Sequence, residues 1–189
     1  MGRTFLIRHA NTKSNSSDVV RSINNIPLDD AGIRQAVQTG HSLSQIPLHN
    51  IITSKMGRAI DTAKIIASLN VAKPKVQTTP ELNPIDWGTF TGKSVKAVQP
   101  QLNEYLKSPN KKIPGGGTVA KSVNSAKNVI NKVSNGTSNE NTGIVMHNSH
   151  FRALPHILDP KKSLVKNSDL VPPGGVVELL KDKSLKKVS

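Results

Sequence analysis

At 189 residues, the chain can bury the core of one domain and needs no second one. Its 26 lysines and arginines exceed its 12 acidic residues by 14, so its field attracts anions, and the lack of cysteine excludes disulfides and thiolate metal sites. No stretch approaches the roughly 20 apolar residues of a membrane helix. We expect one soluble, cytoplasmic domain over residues 1–189, with no membrane partner and a basic tail over about 181–189.

The first predicted element is a short strand of three apolar residues, Phe5 to Ile7, typical of a buried parallel sheet. Arg8 and His9 follow where this strand would end, and sites of open α/β sheets form outside the carboxyl ends of strands. A guanidinium fork beside a nitrogen nucleophile suits phosphoryl chemistry, because Arg8 can grip phosphate oxygens while His9 attacks phosphorus. From these residues alone, a surface Arg-His pair after an edge strand is an equal alternative.

Residues 11–27 are polar and turn-rich, which predicts a loop at the mouth of the site. Asn15, in this loop, is expected to contribute to substrate binding. Asp29 is the candidate N-cap of a first helix, whose periodicity predicts a buried face of Ile33, Ala36, Val37, Gly40 and Leu43. A second strand is predicted at 50–54, followed by a helix that buries Ile60, Ala63, Ile66 and Ala67.

The second half continues the alternation. A weak strand is predicted at 76–78, then a helix from Ser94 that Pro100 is expected to break. A glycine-rich loop precedes a helix capped by Thr118. Further strands are predicted at 143–146 and 176–180, with a short helix at 151–158 between them that carries Pro155 near its first turn. The alternation predicts an α/β three-layer sandwich, with a mainly parallel central sheet flanked by helices.

Four segments resemble, in order, those of the histidine phosphatase (phosphoglycerate-mutase-like) superfamily. Residues 8–12 resemble its Arg-His-Gly motif, 28–36 its first helix, 53–63 its second-arginine segment and 145–148 its second-histidine segment. The resemblance implies a phosphatase that works through a phosphohistidine on His9, without metal or cofactor. Arg8, Arg58 and His147 would bind the phosphoryl group of a small phosphorylated substrate. The short chain resembles the phosphatases of the superfamily more than the mutases with inserted segments.

Arg58 also has a plain structural interpretation, a helix salt bridge with Asp61 or Asp29. Two positions depart from the family's glycines. Ala10 adds a methyl group near the expected phosphate. Asn148 is expected to adopt the left-handed backbone that asparagine tolerates and to contribute to substrate binding.

The segment 81–92 looks like the one that supplies the family's proton donor, commonly a glutamate two residues after the leucine. That place is Pro84 here, which has no proton to donate. We prefer Asp86 as the acid, with Glu81 as the other nearby carboxyl, although a turn-capping role for Asp86 is an equal alternative. A leaving alkoxide needs protonation, so loss of the acid slows ordinary phosphate esters most.

The altered acid position motivates a second hypothesis, a phosphate-binding pseudoenzyme with a regulatory or interaction role. A weaker third hypothesis, a nucleic-acid-associated protein, rests on charge alone, and lysine excess without interleaved aromatics favours a solubilising surface instead. Residues 88–94 imitate a phosphate-binding glycine loop but are one residue short between the glycines, so a turn is predicted there. The sequence indicates no metal site and leaves the oligomeric state open.

Overall fold

The computed structural model describes residues 2–15, 17–162 and 171–188. In these residues, six strands form one sheet in the order β3-β2-β4-β1-β5-β6. The strands β1 to β4 are parallel, while β5 and β6 are each antiparallel to the preceding neighbour in that order, so the predicted mainly parallel sheet is confirmed. The strands are Thr4–Arg8 (β1), Asn50–Thr53 (β2), Lys75–Thr78 (β3), Thr142–Met146 (β4), Val176–Leu179 (β5) and Leu185–Val188 (β6).

Helices cover both faces of this sheet. They are Asp30–Leu43 (α1), Gly57–Leu69 (α2), Val95–Lys107 (α3), Val119–Ser134 (α4) and Asn148–Leu158 (α5). Successive residues of β1 point to opposite faces. Phe5 and Ile7 pack in one cluster with residues of α1 and α2, and Leu6 packs in another with residues of α4 and α5. The predicted three-layer α/β sandwich is therefore confirmed.

The buried face of α1 differs from the predicted one. Ile33 is 47% exposed, while Gly32 and Thr39 are buried instead. Close backbone approach is the reason: a Cβ on Gly32 would lie 2.1 Å from the carbonyl oxygen of Asn11. Only glycine fits at this contact, so it fixes the rotation of the helix and turns Ile33 outward.

The two prolines within helices differ from the predictions, Pro100 in its effect on the helix and Pro155 in its position along it. Pro100 does not break its helix, since α3 runs continuously through it. Pro100 and Lys96 are both exposed, so water can satisfy the carbonyl that loses its N–H partner. Pro155 lies well inside α5 rather than in the first turn, because this helix begins at Asn148.

The predicted basic tail at about 181–189 includes a strand. Leu185–Val188 forms the edge strand β6, which pairs with β5 and places Lys186 opposite Glu178. Lysines along an exposed sheet edge discourage pairing with another chain. Among the described residues, no helix is both long and apolar enough to cross a membrane.

Candidate active site

A cleft opens at the end of the sheet where the parallel strands have their carboxyl ends. Arg8 ends β1 and His9 follows it, Arg58 lies in the first turn of α2 just after β2, and His147 follows β4. All four line the cleft, and each is at most 5% exposed. The topology thus brings together the four residues that the resemblance assigns to phosphoryl binding and transfer.

His9 has one ring nitrogen occupied and one available. Its Nδ1 lies 2.8 Å from the carbonyl oxygen of Ala10, which can only accept, so Nδ1 carries the proton and Nε2 carries a lone pair. Burial, and then the positive charge of Arg58, lowers the pKa of His9 to about 3. The ring is therefore neutral near pH 7 and suited to nucleophilic attack.

Arg58 is held by backbone carbonyls rather than carboxylates. Its Nη1 donates to the carbonyl oxygen of Asn24 at 2.7 Å and its Nη2 to that of Ser22 at 3.2 Å. Burial, and then the charge of Arg21, lowers the pKa of Arg58 to about 10, which leaves it cationic at neutral pH. Its Nε is buried and has no hydrogen-bond partner among the described residues.

The salt-bridge interpretation of Arg58 is therefore wrong. No ion pair joins it to Asp61 or Asp29 in the described part of the chain. Asp29 instead caps α1, as predicted, by accepting the Gly32 N–H at 2.7 Å.

His147 adjoins both His9 and a serine. Its ring centre lies 5.0 Å from that of His9, and its Nε2 lies 2.8 Å from Ser54 Oγ. Burial, and then the charge of His9, lowers the pKa of His147 well below its usual value. Its Nδ1 is buried without a partner among the described residues. If Ser54 donates to Nε2, this Nδ1 carries the proton and can donate to a ligand.

Ser54 itself is a functional residue that sequence reasoning missed. It is fully buried and also accepts the Met56 N–H at 3.2 Å, so it fixes the orientation of the His147 ring. Its position inside the second-arginine segment was the signal that could have found it.

Both departures from the family's glycines fit without backbone strain. Asn148 is the first residue of α5 and lines the cleft, but its φ is not positive, so the expected left-handed backbone is wrong. A helix start needs no such conformation. Ala10 is fully buried, donates its N–H to Thr62 Oγ1 at 3.1 Å and does not line the cleft, so its methyl group does not crowd a phosphate there.

The preferred proton donor is not in the cleft. Asp86 Oδ1 accepts the Gly88 N–H at 3.0 Å, where Gly88 has φ of +48°, and the Asp86 carbonyl accepts the Gly117 N–H at 3.1 Å. This is the turn-capping alternative. Pro84 lines the cleft, whereas neither Asp86 nor Glu81 does. In this structure Asp86 therefore takes the turn-capping role, and the predicted turn at residues 88–94 is confirmed.

Asn15 also has a different place from the predicted one. Its side chain is not part of the cleft wall but lies against Arg21, whose Nη1 donates to Asn15 Oδ1 at 2.6 Å. Thr12 Oγ1 donates to the same oxygen at 2.8 Å, and Asn15 Nδ2 donates to Asn11 Oδ1 at 2.7 Å. Asn15 therefore positions Arg21, which does line the cleft.

The loop that carries Arg21 is pinned to the opposite side of the cleft by Ser22. Ser22 is a non-glycine residue with φ of +50°, a conformation that persists only where its surroundings hold it. Its Oγ accepts the Trp87 N–H at 2.8 Å, while its carbonyl accepts from Arg58. Neither Arg21 nor Ser22 stood out in the sequence, because their contacts are made only in the folded loop.

The cleft is strongly cationic at its polar end. Four arginines line it, and among the described residues that form its wall there is no aspartate or glutamate. No group of three or more histidine, aspartate or glutamate side chains in the described residues is placed to hold a metal ion. The rest of the wall has an apolar part, formed by Val19, Val20, Pro84, Ile85, Trp87, Val95, Leu102 and Leu106, and the polar residues Ser22, Gln99, Asn148 and Ser149.

Comparison with known proteins identifies one family. The sequence model of the histidine phosphatase superfamily, branch 1, matches residues 4–182. A relative from Proteus mirabilis (strain HI4320), named "Probable phosphoglycerate mutase GpmB", is 28% identical over 136 residues, which cover 69% of this chain and 62% of the relative. The chain thus spans about three fifths of that relative.

Two solved structures share the fold over almost the whole chain. A mycobacterial glucosyl-3-phosphoglycerate phosphatase, in a complex with VO3, superposes with a TM-score of 0.79 at 17% identity and covers 100% of both chains. A phosphoglycerate mutase from Thermus thermophilus superposes with a TM-score of 0.75 at 21% identity and covers 99% of this chain and 98% of its own.

Proposed function

The chain belongs to the histidine phosphatase superfamily, branch 1, and from this premise we propose that it hydrolyses phosphate monoesters through a phosphohistidine on His9. The observation that carries the proposal is the neutral His9 ring, with its Nε2 lone pair, among buried cations and donors. Arg58 Nε and His147 Nδ1, both buried without described partners, are the kind of donor that a phosphoryl oxygen satisfies.

In the first step, His9 Nε2 forms a bond to phosphorus while the ester P–O bond breaks and its electron pair leaves with the oxygen. Arg8, Arg58 and His147 bind the three equatorial oxygens and offset the charge on them. In the second step, water attacks phosphorus, the P–N bond breaks and its pair returns to Nε2. Both protons of the water stay on the inorganic phosphate, which forms as H2PO4⁻.

Transfer to a second acceptor is the other candidate, because the Proteus relative is named as a mutase. The same phosphohistidine would then pass its phosphoryl group to a substrate hydroxyl rather than to water. Phosphorus NMR of reactions run with 3-phosphoglycerate separates the two: a 2-phosphoglycerate signal supports the mutase, and inorganic phosphate alone supports the hydrolase.

Trapping the phosphoenzyme tests the mechanism directly. Brief incubation with p-nitrophenyl phosphate should add one phosphoryl group that is labile in acid and stable in alkali. His9→Ala should remove this adduct and lower turnover by at least about 1,000-fold. His41→Ala, which changes an exposed histidine on α1, should leave both unchanged.

Normal turnover by His9→Ala would contradict the mechanism. Phosphate binding by the unaltered protein without any turnover would contradict it too, and would support the pseudoenzyme hypothesis instead.

A further inference from the structure

The cleft has more cations than a phosphoryl group requires, and no aspartate or glutamate lines it among the residues that the structure describes. Arg8 and Arg58 lie at the ends of neighbouring structural elements beside His9, but Arg21 and Arg152 also line the cleft. No carboxylate does so among the described residues. The two histidines other than His9 nearest the site are neutral, because burial above all lowers the pKa of His147 well below its usual value and that of His150 to about 4.

These charged and neutral side chains restrict which kind of leaving group the cleft can release. An alkoxide, whose conjugate acid is about as weak an acid as water, departs slowly unless it is protonated. A phenoxide, with a pKa of about 10 for the phenol, is far more stable as an anion. Because no described residue of the wall is a carboxylic acid, the second kind of leaving group suits this wall better, provided that a cation meets the departing oxygen.

Arg21 is the cation best placed for that task. It lies on the cleft wall, and the 2.6 Å bond to Asn15 fixes its guanidinium. Its charge reaches the centre of the site, since after burial it is the other cause that lowers the pKa of Arg58. A fixed cation in a largely buried site stabilises a developing oxyanion without reorganisation.

The body of the leaving group would meet an apolar surface. Val95, Leu102 and Leu106, together with Gln99, line the cleft at helical spacing, so they form one face of α3. Trp87 packs against this face and also lines the cleft. An apolar wall of this kind suits an aromatic ring and offers few partners to a sugar hydroxyl.

We propose that Arg21 is a further catalytic residue that stabilises the leaving oxygen as an anion, and that the substrates are phosphate esters of phenols whose ring lies on the α3 wall. This inference rests on the proposed function. When His9 Nε2 bonds to phosphorus, the P–O bond breaks and its electron pair leaves on the phenolic oxygen, which pairs with the Arg21 guanidinium. No proton moves in this step, and the phenoxide takes one from solvent after release.

A leaving-group series tests the role of Arg21. We would measure kcat/KM, which reports the steps through P–O cleavage, for substituted phenyl phosphates whose phenols have pKa values from about 5 to 10. The unaltered protein should slow as the phenol pKa rises. In Arg21→Gln, the loss should grow along the series, reaching about 100-fold for unsubstituted phenyl phosphate. Arg21→Lys, which keeps the charge, should recover part of it.

The matched control is Arg34→Gln, which removes the same charge from the exposed face of α1 and should leave the series unchanged. A loss in Arg21→Gln that is equal for all the phenols would reduce Arg21 to a phosphate ligand and overturn the inference. Rates in the unaltered protein that do not depend on phenol pKa would reveal a proton donor and overturn it as well.

A second variant tests the ring site. Val95→Ser, which makes the α3 wall polar, should raise KM for naphthyl phosphate several-fold while phosphoenzyme formation from p-nitrophenyl phosphate persists. An unchanged KM would contradict the placement of the ring. These outcomes differ from a failure of the proposed function itself. If that function is wrong, the unaltered protein forms no phosphoenzyme on His9.

Discussion

Arg58 keeps its charge while only 2% of its surface is exposed, and among the described residues no carboxylate neutralises it. Two carbonyl oxygens orient its Nη atoms, and Nε is left for an incoming anion. Such a residue costs the folded protein stability, because burying a cation without an ionic partner is unfavourable. We expect the same arrangement to raise the affinity of the cleft for phosphate, since an oxyanion supplies the missing charge and acceptor.

Arg58→Lys tests whether the fork geometry matters beyond the charge. If a lysine ammonium bonds the carbonyls of both Asn24 and Ser22, only one of its three N–H groups is left for phosphate. We therefore expect kcat/KM on p-nitrophenyl phosphate to fall about 100-fold. Inorganic phosphate should also inhibit more weakly. Arg34→Lys, the same exchange at an exposed position, should change neither value. Full activity and full phosphate inhibition in Arg58→Lys would show that only the charge at this position is needed.

At the scale of single residues, the sequence predicts the cleft residues that directly follow strands. It does not predict those whose positions depend on contacts between loops. Arg8, His9 and His147 come directly after apolar runs, so their meeting at one sheet edge was predictable. The cleft position of Arg21 depends on its bond to Asn15, and that of the loop depends on Ser22. Bonds between distant loops leave no periodicity in the sequence.

At the scale of the elements, the two faces of α3 have different surroundings, the cleft on one side and solvent on the other. Its apolar face lines the cleft, and its other face carries the exposed Pro100. The side chain of Ser94 caps the helix by accepting the Ala97 N–H at 3.2 Å, and Val98 and Leu102 bury the helix against Val20. Packing and capping thus outweigh the proline, which is why the propensity-based prediction of a break is wrong.

Replacing this proline should stabilise the protein. Pro100→Ala restores an N–H donor for the Lys96 carbonyl and removes the ring clash, so we expect the free energy of unfolding to rise by about 1–3 kcal/mol in urea denaturation. Because the residue faces away from the cleft, turnover should not change. Gln101→Ala, at an exposed neighbouring position of α3, is the control for a general alanine effect and should shift stability by less than about 0.7 kcal/mol. Equal shifts in the two variants would mean that the proline is not a local defect.

At the scale of the whole molecule, three buried histidines link stability to pH. Burial is the main cause that lowers the pKa of His9 to about 3, that of His150 to about 4 and that of His147 well below its usual value. In the unfolded chain, a histidine titrates near 6.5. Between these values the unfolded chain binds more protons than the folded one, so acidification favours unfolding.

We therefore expect the free energy of unfolding to fall as pH decreases from about 6.5 to about 5, by up to about 1.4 kcal/mol per pH unit for each histidine. Urea denaturation at several pH values measures this slope. His150→Gln should reduce the slope by about one third, whereas His41→Gln, at an exposed site, should not. A free energy of unfolding that is flat over this interval would mean that the buried histidines accept protons without unfolding.

The strand order has a consequence for how the protein folds during its synthesis. Thr4 of β1 pairs with Thr142 on one side and with Leu179 on the other, so β1 lies between two strands that are synthesised long after it. During synthesis, this apolar strand has both edges open while the intervening helices emerge, and closing it requires very long loops. The nascent chain therefore carries His9 without a cleft around it until β4 and β5 are made, and it is most exposed to misassociation during that same interval. The cleft forms only when β4 and β5 fold back on β1.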